Sequence, residues 1–133
     1  MASFDLVTAP AHLGLGATVV VEPPWGGGLD WYAAYGARRA SDGVEGRLVS
    51  MYTFDASWTS WEMHPAGEEL VVCTAGALTL IQALPDGEHR VILRPGEAAI
   101  NPRGVWHTAD VAPGAVATAL FITAGVGTDH KPR

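Results

Sequence analysis

Short runs of apolar, aromatic and β-branched residues recur along the chain, and most of them end near a glycine or a proline. No run keeps a helical period for long, whereas runs of this length and composition are typical of strands. The predicted strands lie at residues 17–22, 29–35, 47–55, 57–64, 69–73, 77–84, 88–93, 97–101, 106–111 and 115–123. Residues 37–46 and 128–133 are polar, which predicts a turn-rich segment and a frayed end. The pattern therefore predicts an all-β antiparallel sandwich or barrel with minimal helix.

The composition agrees with this architecture. The 133 residues include 16 glycines and 9 prolines, enough for the many tight turns of such a fold. Hydrophobic residues make up 48% of the chain and charged residues 17%, a balance typical of a folded globular protein. The length predicts one domain over residues 1–133.

The charge of the chain argues against two classes of partner. The formal net charge is −6, which gives no electrostatic attraction to nucleic acid or to an anionic membrane surface. The single cysteine, Cys73, has no partner for an internal disulfide, which favours a cytoplasmic location. No stretch approaches the roughly 18 apolar residues of a membrane-spanning helix.

Acidic residues and histidines on two predicted strands carry the candidate chemistry. Glu62 and His64 are two positions apart, so on a strand they point to the same face. Pro65 favours extended backbone at His64, and the following turn brings the chain back at Glu69. His107 stands at the start of a later predicted strand. If these strands enclose one interior, all four side chains face it.

Each residue alone has a simpler interpretation, since a single histidine is usually packed or hydrogen-bonded and a single glutamate is usually solvated. Two glutamates and two histidines inside one barrel are different, because burying them unpaired is costly. A divalent cation removes that cost and is bound by these side-chain types. We therefore predict a metal site.

The spacing of these residues resembles the two sequence motifs of the cupin superfamily. The first motif contains H-x-H, three or four residues, a glutamate, six residues and a glycine; the second contains a glycine, five residues, P-x-G, two residues and a histidine. The matching positions are Glu62, His64, Glu69 and Gly76 in the first motif and Gly96, Pro102, Gly104 and His107 in the second. The resemblance implies a small single-domain cupin, an antiparallel double-stranded β-helix or jelly-roll barrel, with motifs at 62–76 and 96–107.

Three positions depart from the cupin pattern. Ala56 and Val111 replace a glycine and an asparagine with roles in turns and packing, and Glu62 replaces the first metal-ligating histidine. Two glutamates and two neutral histidines leave a bound divalent ion with almost no net charge, which makes it a weaker Lewis acid than three histidines and one glutamate would. Such a set suits one divalent ion of Fe, Mn, Zn or Ni.

The sequence leaves two ligand sets open. In one, Glu62, His64, Glu69 and His107 all bind the metal. In the other, only His64, Glu69 and His107 bind it, a two-histidine, one-carboxylate set with open positions, and Glu62 is a catalytic general base whose pKa is raised by burial.

The cupin resemblance implies a range of functions. Our first hypothesis is a metal-dependent enzyme with dioxygenase-, isomerase- or lyase-type chemistry on a small, weakly charged or aromatic organic molecule. The alternatives are a non-catalytic small-molecule binding or sensing domain and a barrel without metal. We also expect a homodimer, in which the apolar strand at residues 17–21 pairs with the sheet edge of a second copy.

Other residues are weaker candidates. Glu68 is predicted to be solvated, and Cys73 is expected in the core, with a place near the metal as the alternative. Three histidines show no spacing to a partner: His12, His89 and His130. Four residues are candidates for lining the interior: Met51, Thr53, Gln82 and Phe121.

Overall fold

A computed structural model describes residues 2–133 and contains, over that range, eleven strands, one α-helix and one 3₁₀ segment. The strands are β1 (Ala11–Gly14), β2 (Thr18–Val21), β3 (Arg47–Phe54), β4 (Ser60–Met63), β5 (Glu69–Ala75), β6 (Leu78–Leu84), β7 (Gly87–Leu93), β8 (Ala98–Asn101), β9 (His107–Asp110), β10 (Ala117–Thr123) and β11 (Asp129–Pro132). The helix is α1 (Leu29–Arg38), and the 3₁₀ segment is Ala40–Glu45.

The strands form two antiparallel sheets. One has the order β2-β1-β3-β10-β5-β8, and the other has the order β11-β4-β9-β6-β7. From β3 onward the chain alternates between the sheets, apart from the β6–β7 hairpin, so that strands distant in sequence pair within each sheet. This alternation produces a double-stranded β-helix, and the predicted fold class is confirmed.

The core lies between the sheets. The inward positions of β5 and β10 alternate with more exposed ones, as expected for strands with one buried face. Alanines 109, 117 and 119 are fully buried there and let the sheets approach closely around Phe121. Cys73 is a member of this core, as predicted.

The prediction of a strand at residues 29–35 is wrong, because these residues begin α1. Trp31 and Tyr35 are four residues apart and stack with ring centroids 5.6 Å apart, a contact that helical spacing permits. Asp30 in the first turn and Arg38 in the last turn both favour the helix dipole. The aromatic run suggested a strand, but a helix lets this segment pack across an open end of the barrel.

The expectation of minimal helix and of a turn-rich segment at residues 37–46 also needs correction. Residues 37 and 38 complete α1, and the 3₁₀ segment Ala40–Glu45 follows, interrupted at Gly43, where φ is 63°. Positive φ at this position suits glycine, which has no Cβ to clash.

Two strands were missed in the sequence. Strand β1 pairs with both β2 and β3, and β11 pairs with β4 although residues 128–133 were expected to be frayed. Both are short and carry polar residues, so neither shows the alternation that predicts a strand.

No helix within residues 2–133 combines the length and the apolar character needed to cross a membrane.

Candidate metal centre

Neighbouring strands bring the four predicted residues together. Glu62 on β4 lies directly opposite His107 on β9 in the strand register. His64 follows β4, and Glu69 opens β5 in the other sheet. One ligand atom from each of the four lies within 4.8 Å of those of the other three. The geometric part of the sequence prediction therefore agrees with the structure.

The carboxylates and imidazoles face one another across a shared point. His64 Nε2 lies 2.9 Å from Glu62 Oε1 and 3.1 Å from Glu69 Oε2. His107 Nε2 lies 3.7 Å from Glu62 Oε1 and 3.3 Å from Glu69 Oε1. Three of the four residues are buried, and Glu62 has 24% of its side chain exposed.

Both imidazole nitrogens that face the cluster lack a hydrogen-bond partner among residues 2–133, despite the short distances to carboxylate oxygens. The two Nε2 atoms are therefore close to carboxylate oxygens without having the geometry of ordinary imidazole–carboxylate hydrogen bonds. A buried polar atom without a partner is costly, and two of them aimed at one point suit a ligand placed between them.

The hydrogen bonds behind the cluster orient His64. The Thr128 hydroxyl donates to the Gly125 carbonyl at 2.8 Å, so its oxygen accepts from His64 Nδ1–H, also at 2.8 Å. With the proton on Nδ1, neutral His64 presents the Nε2 lone pair to the cluster. His107 Nδ1 lies 3.4 Å from the Val105 carbonyl, a longer contact that also favours a proton on Nδ1.

Glu69 is held by two donors. Its Oε1 accepts from Asn101 Nδ2 at 2.9 Å, and its Oε2 accepts from the Thr123 hydroxyl at 2.6 Å. Gln82 in turn donates to Asn101 Oδ1 at 2.8 Å, which fixes the orientation of that amide. This chain of donors keeps the Glu69 carboxylate oriented although the residue is only 2% exposed.

The charges in the cluster shift the pKa values of Glu62 and His64. Burial alone would raise the pKa of Glu62, but the His107 and His64 imidazoles beside it lower that pKa well below its usual range. Burial alone would lower the pKa of His64, but the Glu62 and Glu69 carboxylates raise it to about 9. Both directions show that the cluster stabilises added positive charge.

The donor set fits a divalent metal ion. Two imidazole nitrogens and two carboxylate oxygens are ligands common to Fe, Mn, Zn and Ni sites, and the two carboxylates balance the charge of the ion. The two Nε2 atoms without a hydrogen-bond partner lie within 4.8 Å of the carboxylate oxygens and of each other, which suits binding of one ion. The residues present therefore fit the group that the sequence predicted.

His130 is a site residue that the sequence did not identify. It lies on β11 opposite Glu62 on β4, and its Nε2 lies 3.0 Å from Glu62 Oε2. Because this oxygen contacts His130, the other oxygen of Glu62 faces the cluster. The pairing depends on a strand that carries no apolar pattern, so no local residue pattern predicts it.

A cavity of about 1010 Å³ opens beside the cluster. Glu62, His64 and Glu69 form part of its wall, and α1 and the 3₁₀ segment line the opposite side. Much of the remaining wall is aromatic, from Trp25, Tyr32, Tyr35, Tyr52, Phe54, Trp58 and Phe121.

One of the four residues expected to line the interior does so. Phe121 lines the cavity, whereas Met51, Thr53 and Gln82 do not. On β3 the cavity is lined by Ser50 and Tyr52, so the expected facing of this strand was wrong by one residue. Glu68 is exposed, as predicted.

All three histidines without a predicted partner contact an acidic side chain, and two of them also line the cavity. His12 is 2% exposed, and its ring nitrogens lie 2.6 Å from the Tyr35 hydroxyl and 2.6 Å from Asp42 Oδ2. His130 contacts Glu62, as described above. His89 is exposed on β7 and contacts Asp86, away from the cluster.

Comparison of the sequence with family models gives no match, and none of the curated proteins matches it. Solved structures do match. An oxalate oxidase structure aligns with a TM-score of 0.54 and 17% identity over 62% of this chain and 44% of that one. The cupin domain of Drosophila melanogaster CENP-C aligns with a TM-score of 0.50 and 14% identity over 56% of each chain. The fold is that of the cupins.

A cupin-2 domain protein from Shewanella frigidimarina also aligns, with a TM-score of 0.47 and 20% identity over 65% of this chain and 71% of that one. At these identities the shared cupin fold does not determine the chemistry. The aligned region spans less than half of the oxalate oxidase chain. The features of this chain that bear on function are therefore the cluster and the cavity.

Proposed function

We propose that this protein is a metal-dependent cupin enzyme that acts on a small organic molecule, with one divalent ion held by Glu62, His64, Glu69 and His107. The observation that carries the proposal is the convergence of four ligand atoms within 4.8 Å, with both histidine Nε2 atoms lacking a hydrogen-bond partner among the described residues. The adjoining cavity supports an enzyme, because a molecule bound there reaches three of the four side chains, Glu62, His64 and Glu69.

We further propose that Glu62 is a metal ligand through Oε1. That oxygen lies 2.9 Å from His64 Nε2 within the cluster, while Oε2 lies 3.0 Å from His130. A Glu62 that served as a free general base would need an oxygen turned toward the cavity and away from both contacts. The four-ligand set is therefore the better supported of the two alternatives.

When bound, a divalent ion supplies Lewis-acid chemistry, and Fe or Mn additionally supplies redox chemistry. The residues of the chain have separate tasks. Asn101 and Thr123 hold Glu69, Thr128 sets the protonated nitrogen of His64, and the aromatic wall excludes water from a bound molecule. These tasks are compatible with dioxygenase-, isomerase- or lyase-type reactions.

The metal content of the protein, purified without chelator, tests the metal site. We expect about one Fe, Mn, Zn or Ni ion per chain by mass spectrometry. Glu62→His should keep the ion but change its affinity if Glu62 is a ligand, and should leave affinity unchanged if it is not. Absence of metal from the wild-type protein, even after reconstitution, would refute the proposal.

Turnover tests the enzyme against a binding or sensing domain. The wild-type protein loaded with each of the four metals is incubated with small uncharged organic compounds, and the products are followed by mass spectrometry. An enzyme gives products that disappear in folded His107→Ala protein. A binding domain gives saturable binding without products.

We also propose a homodimer formed through β2. This strand lies at the edge of the larger sheet, and Val19 and Val21 are 63% and 48% exposed on it. An exposed apolar edge strand favours pairing with the same strand of a second copy. Light scattering should give twice the chain mass for the wild type and a monomer for Val19→Lys; a wild-type monomer would refute this proposal.

A further inference from the structure

We propose that the cavity binds an uncharged molecule with one or two planar rings, with one oxygen-bearing group directed at the cluster. This inference rests on the proposed function for the position of the reacting group. The preference for a planar ring depends only on the walls of the cavity.

Aromatic side chains surround the space on two sides. Tyr52, Phe54 and Phe121 belong to the barrel, and their ring centroids lie 5.9–6.2 Å apart in tilted or edge-to-face contacts. Trp25 approaches from the N-terminal side, with its ring centroid 5.2 Å from that of Tyr52. A planar ring placed among them gains edge and face contacts that a flexible aliphatic chain does not.

The charges at the cavity argue against an anion. Among the described lining residues, Arg39 is the single arginine or lysine, and its Nε lies 2.5 Å from Glu22 Oε1. Arg39 Nε is therefore engaged by Glu22, a buried carboxylate that Arg38 also contacts, and is not free to bind a carboxylate or a phosphate. In the metal-free protein, Glu62 and Glu69 would also repel such a group.

The same two glutamates would attract a cation in the metal-free protein, but a divalent ion neutralises them. With the ion bound, the cluster itself has almost no net charge, and much of the remaining wall is aromatic. The charge balance therefore favours an uncharged molecule.

The Tyr32 and Tyr52 hydroxyls provide a polar contact for that molecule. They lie in hydrogen-bonding contact with each other, so only one of the two hydroxyl protons is used in it. Burial, followed by the interaction between the two tyrosines and the charge of Glu62, raises the pKa of Tyr32. The hydroxyls therefore stay protonated at neutral pH, and one O–H remains to bind an oxygen of the ligand.

The size of the cavity sets an upper limit. A volume of about 1010 Å³ is at the upper end of the range for small-molecule sites, which leaves room for one or two rings and several waters.

Calorimetry on the zinc-loaded protein at neutral pH tests the charge preference with three probes of similar shape: 2-naphthol, 2-naphthoate and 2-naphthylmethylammonium. We expect saturable binding of 2-naphthol, at least about tenfold tighter than that of either ion. Tighter binding of the anion or the cation, or absence of saturable naphthol binding, would overturn the inference.

Variants locate the bound ring. Tyr32→Ala should weaken naphthol binding about tenfold. Tyr32→Phe keeps the ring and leaves the Tyr52 hydroxyl to bind the ligand, so it should retain most of the affinity. Trp106→Ala is the matched control, because Trp106 contacts Lys131 and does not line the cavity. Equal losses in Tyr32→Ala and Trp106→Ala would contradict the assignment, and circular dichroism checks that each variant is folded.

The two proposals fail in different ways. Naphthol binding is repeated with metal-free wild-type protein, in which the aromatic walls remain. If naphthol binds and no metal does, the proposed function fails while the ring preference survives. If metal binds and naphthol does not, the metal site survives and the ring preference fails.

Discussion

The two sides of the cavity are built in different ways. The barrel side places the cluster on paired strands in the interior, where His107 is 0% and Glu69 2% exposed. The other side, which we call the cover, consists of residues 22–46. Helix α1 within the cover has no buried residue and is attached through side-chain contacts at a few points.

Three of these attachments are polar. Glu22 binds Arg38 and Arg39, His12 binds Tyr35 and Asp42, and Tyr32 contacts Tyr52. Two glycines with φ of 88°, Gly27 and Gly28, precede the helix. A segment held by few contacts opens at a lower free-energy cost than the strands of a core. The comparison teaches that the clustered side chains are held in place by paired strands, whereas the cover beside them is held by a few side-chain contacts.

The largest expected effect concerns the barrel side. Glu69→Gln removes one negative charge and a ligand oxygen from the cluster, and metal affinity should fall at least about 100-fold by competition with a chelator. Glu68→Gln is the matched control, because Glu68 is the adjacent exposed residue. Equal affinity in the two variants would remove Glu69 from the ligand set.

A leucine-to-alanine substitution should lower the free energy of unfolding more in the barrel than in the cover. Leu78→Ala empties a fully buried core position and should lower the free energy of unfolding by about 3 kcal/mol. Leu29→Ala, the same substitution in α1, should change it by less than about 0.5 kcal/mol, since Leu29 is 72% exposed. Urea denaturation measures both, and a larger loss for Leu29→Ala would contradict the distinction.

Glu22→Gln should loosen the cover. Glu22 is 2% exposed and binds two arginines, so its replacement should cost about 2 kcal/mol and speed hydrogen exchange in α1 more than in β5. Unchanged exchange in α1 would show that other contacts hold the helix.

The Glu22 contribution should depend on pH. Burial alone would raise the pKa of Glu22, but Arg39 and Arg38 lower it below its usual value. The stabilisation is therefore complete above the unfolded-state pKa of about 4.3 and is lost as the pH falls through the lower folded-state pKa. The difference in unfolding free energy between wild type and Glu22→Gln should stay constant from pH 7 to about 5 and shrink below that range. A constant difference down to pH 3 would exclude this ion pair as the cause.

The smallest effect is expected at His130. His130→Ala removes the contact that orients Glu62, and metal affinity should fall about tenfold, less than for the loss of a ligand. His89→Ala is the control, since His89 is also an exposed histidine paired with a carboxylate. A loss as large as that of Glu69→Gln would make His130 itself a ligand.

Much of the barrel could be predicted because its signals are local. Proline and glycine turns separate runs of apolar residues, and the spacing of Glu62 and His64 places both on one face of a strand. The predicted strands correspond to β2 through β10, with the single wrong assignment at residues 29–35. The prediction of one domain over residues 1–133 stays a prediction.

The wrong and missing predictions share a cause. Tyr32 and Tyr35 of α1 line the cavity, and β1 and β11 are strands because they pair with β3 and β4. Helix and strand propensities are weak compared with such tertiary contacts. The same holds for β3, where a shift of one residue exchanged Met51 for Tyr52 at the cavity.

The sequence by itself determined the antiparallel β architecture and the identities of the four clustered residues, because strand periodicity and turn chemistry act over a few positions. The tertiary structure decided which oxygen of Glu62 faces the cluster, how His130 reaches it from the C-terminal strand, and how residues 22–46 enclose an aromatic cavity. Those features depend on contacts between segments up to 68 positions apart, whose geometry local residue patterns do not encode.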